Sequence, residues 1–437
     1  MKQRLVCALV LLSLAPLTAS AQEPFDVAAA TDAYLSQLTP EQKASSDAYF
    51  EGGYWLQLWV FLFGAVEMWL LLGLGWSARM RDFAERITSK APLRTALYAL
   101  QFTLLTFVIE FPIAWYTGFF REHQYGLATQ TFGPWFREQL ISLGLALVIA
   151  TLLLMGLYTV FRRAPRTWWL WGTGVMLAFL VVIQLLGPVY IAPLFNTYTP
   201  VERPEVLEPV LRMARANGVP VDNVYVFDAS RQTTRISANV SGILGTMRVS
   251  LNDNLLNRTS VPEIKAVMGH ELGHYVLNHA YEGLMFFTLV ILGAFGFLRF
   301  GFDRALARWG TGWGVGGIAD PAGLPLLILL VSIYSFVLTP VGNTYIRVNE
   351  AEADMFGLNA AREPDGFAAI ALKLSEYRKL DPGPLEEFIF FDHPSSRARI
   401  HMAMQWKAEH LEEFAQPATT TEDETPEETP IAAQPRN

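Results

Sequence analysis

Residues 270–274 read His-Glu-Leu-Gly-His, and this pattern could hold a metal ion. On a helix, positions four apart lie on one face about 6 Å apart along the axis, so the imidazoles of His270 and His274 can reach one ion. Glu271 begins beside the first imidazole and can contact a water molecule at the metal. Zinc lowers the pKa of such a water to about 7, and a carboxylate can move its proton to a leaving amine. The pattern predicts a zinc-dependent hydrolytic site with Glu271 as the base.

The alternative interpretation of this segment is a pair of histidines hydrogen-bonded in a helix interface. Burying two imidazoles and a carboxylate there without a metal would cost free energy, so the metal site is favoured. A catalytic zinc also needs a third protein ligand and one open position. The only cysteine, Cys7, lies in an N-terminal apolar segment, which argues against a thiolate ligand. His279 follows His274 by five positions, about 500° around the helix, and is poorly placed to join the same ion.

An acidic run at residues 349–354 (NEAEAD) offers the best candidates for a carboxylate ligand. Glu350 and Asp354 share a helical face, so one can bind the metal while the other orients a ligand histidine. Glu352 competes with Glu350 for the first role, and a solvated acidic helix face is the alternative for all three. The spacing alone leaves this choice open.

The elements that must position these residues belong to an unusually apolar chain. Apolar residues make up 52% of it and charged residues only 17%, against about a quarter charged in ordinary soluble domains. The apolar residues are concentrated in six blocks long enough to cross a membrane, at residues 54–76, 95–118, 139–161, 168–190, 281–300 and 323–346. The composition predicts a mainly α, polytopic membrane protein with six mature spans.

Polar stretches divide the spans and outline a second, catalytic region of the chain. The predicted division is a signal peptide at 1–21, an N-terminal polar segment at 22–53, four transmembrane helices within 54–190, the first segment of a catalytic zinc domain at 191–280, two transmembrane helices within 281–346, the second segment of that domain at 347–412, and a disordered acidic tail at 413–437. An uncleaved first helix is the alternative for the signal peptide. The catalytic region resembles a zincin-like domain with a small β-sheet, since residues 223–227 and 247–251 have the pattern of short strands and residues 261–279 that of a helix.

Basic residues are distributed unequally between the loops that join the spans. Arginines cluster in the first, third and fifth loops, whereas the second loop balances two arginines with two glutamates. Positive loops stay in the cytoplasm. We therefore expect an integral protein of the bacterial inner (plasma) membrane with its active site facing the periplasm. The net charge of −8 gives no support for nucleic-acid binding, so the expected partners are peptides or proteins and membrane lipid.

These residues resemble the type I integral-membrane CaaX prenyl endopeptidases, which are gluzincin zinc metalloproteases, and the chain is similar to a bacterial member of that family. The resemblance covers most of the chain. It rests on residues 122–126 (EHQYG), 191–196 (IAPLFN), 198–200 (YTP), 237–251, 270–279 (HELGHYVLNH), 343–354 (NTYIRVNEAEAD) and 392–400 (DHPSSRARI).

The resemblance implies a role for further residues. It selects Glu350 over Glu352 as the third ligand of one zinc ion, beside His270 and His274, and it suggests Asp354 as an auxiliary acid that donates a proton or orients a ligand. It makes His393 and Arg399 candidate donors to a tetrahedral oxyanion, which demands preplaced positive charge. It also makes residues 237–251 an edge strand that pairs with an extended peptide substrate.

Two departures from the family bear on substrate and topology. Eukaryotic members have seven spans against six here, and they reach their substrates from the cytosolic side. Prenylated CaaX substrates would be out of place in the compartment that the charges predict, so the resemblance implies the peptidase chemistry and leaves the substrate open.

A non-catalytic zinc-binding scaffold and a transporter are the rival functions. Four polar residues lie within the apolar blocks and could line a water-filled chamber or pair between helices: Glu67, Gln101, Glu110 and Gln184.

Overall fold

The computed structural model describes residues 25–241 and 248–415. The predicted signal peptide and all but the first residues of the predicted tail therefore lie outside the described residues. Within those ranges the fold class is confirmed: the chain is mainly helical, has six helices long and apolar enough to cross a membrane, and includes one small sheet.

The helices of the described residues follow one another closely along the chain. They are α1 (Val27–Leu35), α2 (Pro40–Gly73), α3 (Trp76–Ile87), α4 (Ala91–Trp115), α5 (Arg121–Gln124), α6 (Phe132–Arg163), α7 (Trp168–Leu186), α8 (Pro204–Ala216), α9 (Asp253–Arg258), α10 (Val261–Val276), α11 (His279–Trp313), α12 (Leu324–Ala361), α13 (Pro364–Leu374), α14 (Pro384–Phe390), α15 (Ser396–Glu409) and α16 (Leu411–Ala415). Single π-turns, Tyr116–Phe120 and Gly187–Ile191, continue α4 and α7.

The spanning helices are α2, α4, α6, α7, α11 and α12, and most are longer than the apolar blocks that predicted them. At 1.5 Å per residue, the 38 residues of α12 extend well beyond a hydrocarbon core about 30 Å thick. That helix therefore leaves the membrane and carries residues 350–354 into the catalytic region. Similarly, α2 begins at Pro40, inside the segment assigned to the polar N-terminus, where Thr39 and Gln42 form a capping box.

A four-stranded sheet lies in the catalytic region, in the order β1-β2-β4-β3. Its strands are β1 (Tyr198–Pro200), β2 (Val224–Phe227), β3 (Ala238–Ser241) and β4 (Arg248–Asn252). The central pair, β2 and β4, is parallel, and both outer pairs are antiparallel. The strands predicted at 223–227 and 247–251 are β2 and β4, with ends that differ by no more than one residue. The resemblance made residues 237–251 an edge strand; β3 is at the edge as expected, but β4 is paired on both sides and is not.

Two hydrophobic cores stabilise the membrane region and the catalytic region. One lies between the sheet and helices α8, α10, α13 and α15, and its fully buried members include Val249, Met268 and Leu272. The other lies between the spans and contains Tyr98, Tyr158 and Phe302 among its buried side chains. Since α12 contributes residues to both cores, the helix joins the membrane region to the catalytic region.

The helix that carries the His-Glu-Leu-Gly-His pattern is shorter than the sequence predicted. Ser260 and Glu263 cap the start of α10, with Pro262 in its first turn. The helix ends at Val276 rather than His279, because Asn278 adopts a left-handed conformation with φ 62°, which asparagine tolerates better than most residues. His279 therefore starts α11, and its side chain returns toward α10.

Candidate active site

Helices α10 and α12 approach each other closely because glycines line their interface. A Cβ atom on Gly357 would lie 2.7 Å from the backbone nitrogen of His270, and one on Gly269 would lie 3.0 Å from the carbonyl oxygen of Gly357. A Cβ on Gly273 would meet the backbone of Ala353 at 3.2 Å. Only residues without a side chain fit at such distances, and the close approach brings the carboxylates of α12 to the histidines of α10.

Three side chains that could ligate a metal ion, His270, His274 and Glu350, converge at this interface. Nε2 of His270 lies 3.1 Å from Nε2 of His274 and 3.2 Å from Oε2 of Glu350, and Nε2 of His274 lies 3.5 Å from Oε1 of Glu350. Ligand atoms about 2.0–2.1 Å from a tetrahedral zinc ion stand about 3.3 Å apart. Two imidazole nitrogens stand 3.1–3.2 Å from buried Oε2 of Glu350, yet neither forms a hydrogen bond of ordinary geometry with it. The donor set and its spacing therefore fit a small cation.

Asp354 and Arg399 fix the first of these histidines. Nδ1 of His270 lies 2.7 Å from Oδ1 of Asp354, whose side chain is fully buried. Arg399 donates two hydrogen bonds to the same carboxylate, from Nε to Oδ2 at 2.8 Å and from Nη2 to Oδ1 at 2.5 Å. Because the carboxylate accepts the Nδ1–H of His270, the lone pair of Nε2 points to the converging ligand atoms.

His279 holds the second histidine in a corresponding way. Its Nδ1 lies 2.9 Å from Nδ1 of His274, and its Nε2 lies 3.3 Å from Oε2 of Glu352. The Glu352 side chain is 56% exposed and contacts His279, whereas the Glu350 side chain is 11% exposed and faces the ligand histidines. The structure thus separates the two glutamates that spacing alone left in competition. The spacing predicted that His279 is poorly placed to join the same metal ion. It did not predict that His279 contacts His274.

In His270 the contacts with the carboxylates of α12 outweigh burial and raise the pKa to about 10. For the other two titratable side chains at this site of α10, burial is the largest influence on the pKa. It raises the pKa of Glu271 to about 7, although the neighbouring His270 and the backbone amide of Val240 on the edge strand act in the opposite direction. Burial and the nearby His270 lower the pKa of His274 to about 4, so this imidazole is neutral near pH 7. A neutral imidazole has the lone pair that a metal ligand needs.

A cavity of about 240 Å³ opens beside Glu271. Ala238 of the edge strand and the two residues before it border the cavity, together with His393 and Arg399. Nε2 of His393 lies 3.1 Å from Oε2 of Glu350, and its Nδ1 lies 2.8 Å from Oδ1 of Asp392. His393 therefore contacts Glu350 directly, whereas Arg399 is paired with Asp354 and forms no ion pair with Glu350. Arg378 also lines this cavity, and no motif in the sequence indicated it.

A second cavity, of about 380 Å³, lies on the membrane side of the same residues. Its wall is mostly apolar side chains from α7, α11 and α12, and it reaches His274 and Glu350. Gln184 lines this cavity, whereas Gln101 donates hydrogen bonds to backbone carbonyls at Met80 and Leu97. Gln184 therefore fits the interpretation that polar residues in the spans line a chamber. Gln101 fits the alternative, in which they pair between helices.

Comparison with known proteins places this geometry in a family. Residues 200–407 match the model of peptidase family M48, and residues 28–197 match the model described as CAAX prenyl protease N-terminal, five membrane helices. A metalloprotease of Bacillus subtilis named YhfN is 30% identical over 374 residues, which cover 84% of this chain and 87% of that protein. The chain belongs to peptidase family M48. It is accordingly a membrane-embedded metalloendopeptidase that acts on peptides or proteins.

More distant M48 relatives share the architecture. CAAX prenyl protease 1 of Saccharomyces cerevisiae is 27% identical over 323 residues, covering 68% of this chain and 69% of that protein. The crystal structure of S. mikatae Ste24p superposes with a TM-score of 0.71 at 19% identity, covering 86% of this chain and 95% of that one. Four spanning helices, α2, α4, α6 and α7, lie in the region that the five-helix model matches, one fewer than its description.

Proposed function

We propose that His270, His274 and Glu350 hold one zinc ion and that Glu271 is the general base of peptide-bond hydrolysis. The observation that carries this proposal is the convergence of three side chains whose nearest nitrogen and oxygen atoms stand 3.1–3.5 Å apart, with the outer nitrogen of each histidine already engaged. When bound, zinc supplies a Lewis acid that lowers the pKa of a water molecule to about 7.

The chain's own side chains have separate roles in the reaction. Glu271 accepts the proton of the attacking water and transfers it to the leaving amine, a role suited to a carboxyl whose pKa is close to 7. His393, held by Asp392, donates a hydrogen bond to the oxygen that becomes negative as the carbonyl is attacked. Asp354 orients His270, and Arg399 is a positioning residue that holds Asp354.

The substrate is proposed to lie as an extended strand against β3. An edge strand offers backbone donors and acceptors to a peptide. Ala238 of β3 borders the cavity beside Glu271, so a peptide paired with this edge would cross the metal site. The relatives named CAAX prenyl proteases suggest substrates at the membrane, and we propose membrane-associated or exported proteins without a requirement for a prenyl group. Nucleic acid is not an expected partner.

The active site is proposed to face the periplasm from a bacterial inner membrane. Arg81, Arg94 and Arg162 line one cavity of about 480 Å³ together with residues of the loop between α11 and α12, so the basic loops share one end of the bundle. Positive loops stay in the cytoplasm. In a Cys7→Ser background, a cysteine at exposed Arg362 should react with a membrane-impermeant maleimide in intact spheroplasts, whereas one at exposed Arg166 should react only after lysis. The reverse labelling would contradict this orientation.

Peptide hydrolysis tests the proposed function. Detergent-solubilised full-length protein is incubated with an unstructured peptide, and mass spectrometry identifies the products. We expect cleavage at an internal bond, its loss on chelation with 1,10-phenanthroline, and its recovery with one equivalent of zinc. Cleavage that persists without metal would contradict the proposal.

A further inference from the structure

Arg378 is a charged residue of the active-site cavity that has no role in the mechanism above. It lies in the turn between α13 and α14, and Ser46 of α2 donates a hydrogen bond to its carbonyl oxygen at 3.0 Å. Its side chain borders the 240 Å³ cavity together with Glu271 and His393. The backbone of Arg378 is therefore held in place while its guanidinium meets the space beside the general base.

The guanidinium of Arg378 forms no close ion pair with the described residues, although nearby carboxylates, Asp392 among them, attract it. Its Nη1 atom is buried and makes no hydrogen bond there. By contrast, Arg399 in the same cavity donates two hydrogen bonds to Asp354. The nearby carboxylate of Asp392 is bonded to His393. Burial and the proximity of Arg399 lower the pKa of Arg378, yet a guanidinium stays charged in proteins. A partly buried guanidinium with an unbonded Nη1 atom, whose neighbouring carboxylate already binds a histidine, can gain free energy from an anionic ligand.

The walls of the cavity indicate which anion would fit. Ile236, Phe367, Ile370 and Leu374 provide apolar surface in the same cavity. Such walls hold methylene groups, and a guanidinium binds a carboxylate through two parallel hydrogen bonds. We propose that Arg378 binds a carboxylate of the substrate in this cavity. The inference rests on the proposed function, because the same cavity contains Glu271 and His393.

A substrate carboxylate has two sources, an acidic side chain near the scissile bond and a free C-terminus, and matched peptides distinguish them. In one series a single glutamate is moved along the peptide and compared with glutamine at the same position; in the other the peptide ends in an acid or an amide. We expect kcat/KM of the wild type to be about 10-fold higher for the carboxylate member of one pair. Equal rates for all pairs would overturn the proposal while leaving the peptidase function standing.

Variants of Arg378 assign the preference to this residue. Arg378→Gln should reduce the ratio of kcat/KM within the preferred pair to about 1, and Arg378→Glu should make lysine the preferred residue at that position. Arg362→Gln, which removes a surface arginine paired with Glu413, should keep the wild-type ratio. Because both peptides of a pair are measured with one enzyme, partial misfolding does not change the ratio. A ratio unchanged in Arg378→Gln would overturn the assignment.

A binding measurement decides the inference even where turnover is absent. Fluorescence anisotropy of labelled acid and amide peptides, and of glutamate and glutamine peptides, is measured on the Glu271→Gln variant with and without Arg378→Gln. Tighter binding of the carboxylate peptide, lost with Arg378→Gln, supports the proposal; equal binding in both backgrounds contradicts it. Failure of the peptidase function would show instead as absent cleavage by the wild type.

Discussion

Gly357 of α12 and His270 of α10 approach so closely that a single methyl group on Gly357 would stand 2.7 Å from the His270 backbone nitrogen. This relationship decides the distance between the two helices that provide the metal ligands. Glu350 lies two helical turns before Gly357 on the same helix, and its carboxylate reaches His270 at 3.2 Å. The geometry of the proposed ligand set therefore depends on a backbone contact at a glycine that is not itself a ligand.

Gly357→Ala should separate the two helices and weaken metal binding. The added methyl overlaps backbone, which cannot move aside as a flexible side chain can, so we expect a loss of at least 10-fold in zinc affinity and a comparable loss of peptidase activity. Competition with a fluorescent zinc chelator measures the affinity. Gly342→Ala on the same helix meets nothing within 4 Å and should leave both properties near the wild type. Equal behaviour of the two variants would contradict this account.

Glu350 and Glu352 should differ sharply when each is changed to glutamine. The Glu350 side chain faces His270 and His274, whereas Glu352 is 56% exposed and contacts His279. Glu350→Gln should abolish stoichiometric zinc binding, and Glu352→Gln should retain the metal with activity reduced by less than about 10-fold. Zinc content after gel filtration in detergent checks both. Loss of zinc in Glu352→Gln alone would reverse the assignment.

Asp354→Asn should impair both metal binding and folding. The amide cannot offer Arg399 the two charge-assisted acceptors that the carboxylate provides, so the buried guanidinium loses its counter-ion. Breaking such a pair costs about 3–5 kcal/mol, and loss of an orienting group lowers metal affinity about 10–100-fold. Thermal unfolding and zinc affinity report the two effects. An Asp354→Asn, Arg399→Met double variant should recover some of the stability but not the affinity. Recovery of both would show that Asp354 matters only to the ion pair.

Removal of the metal should lower the thermal stability of the catalytic region. The proposed zinc ligands lie on α10 and α12, which are separate helices, so bound zinc would stabilise their association in the folded state by mass action. Chelation should lower the unfolding midpoint by about 5–10 °C, and added zinc should restore it. Glu271→Gln should respond as the wild type does, since Glu271 is not a proposed ligand. A midpoint that ignores chelation would argue against a metal at this interface.

Much of this architecture could be predicted because its signals are local. The apolar blocks revealed six spanning helices, and the His-Glu-x-x-His spacing indicated a metal helix, since both depend only on neighbouring residues along the chain. The close approach of Gly269 and Gly357 depends on residues far apart in sequence, and a single sequence does not reveal such pairs.

The site details that the sequence missed depend on backbone turns and tertiary contacts. A continuous helix through His279 would have directed this side chain away from His274; the left-handed residue Asn278 turns it back. Asparagine near the end of a helical pattern is a signal that could have revealed this break. Arg378 had no such signal, because its place in the cavity depends on packing between the turn after α13 and α2.

The most direct measurement is zinc content together with peptide cleavage for the purified full-length wild type and the Glu271→Gln variant. We expect one zinc per chain in both proteins, cleavage by the wild type, and a rate at least about 10³-fold lower in the variant, because only the proton acceptor has been removed. A wild type that folds and contains no zinc, or a variant that cleaves as fast as the wild type, would contradict the proposed site.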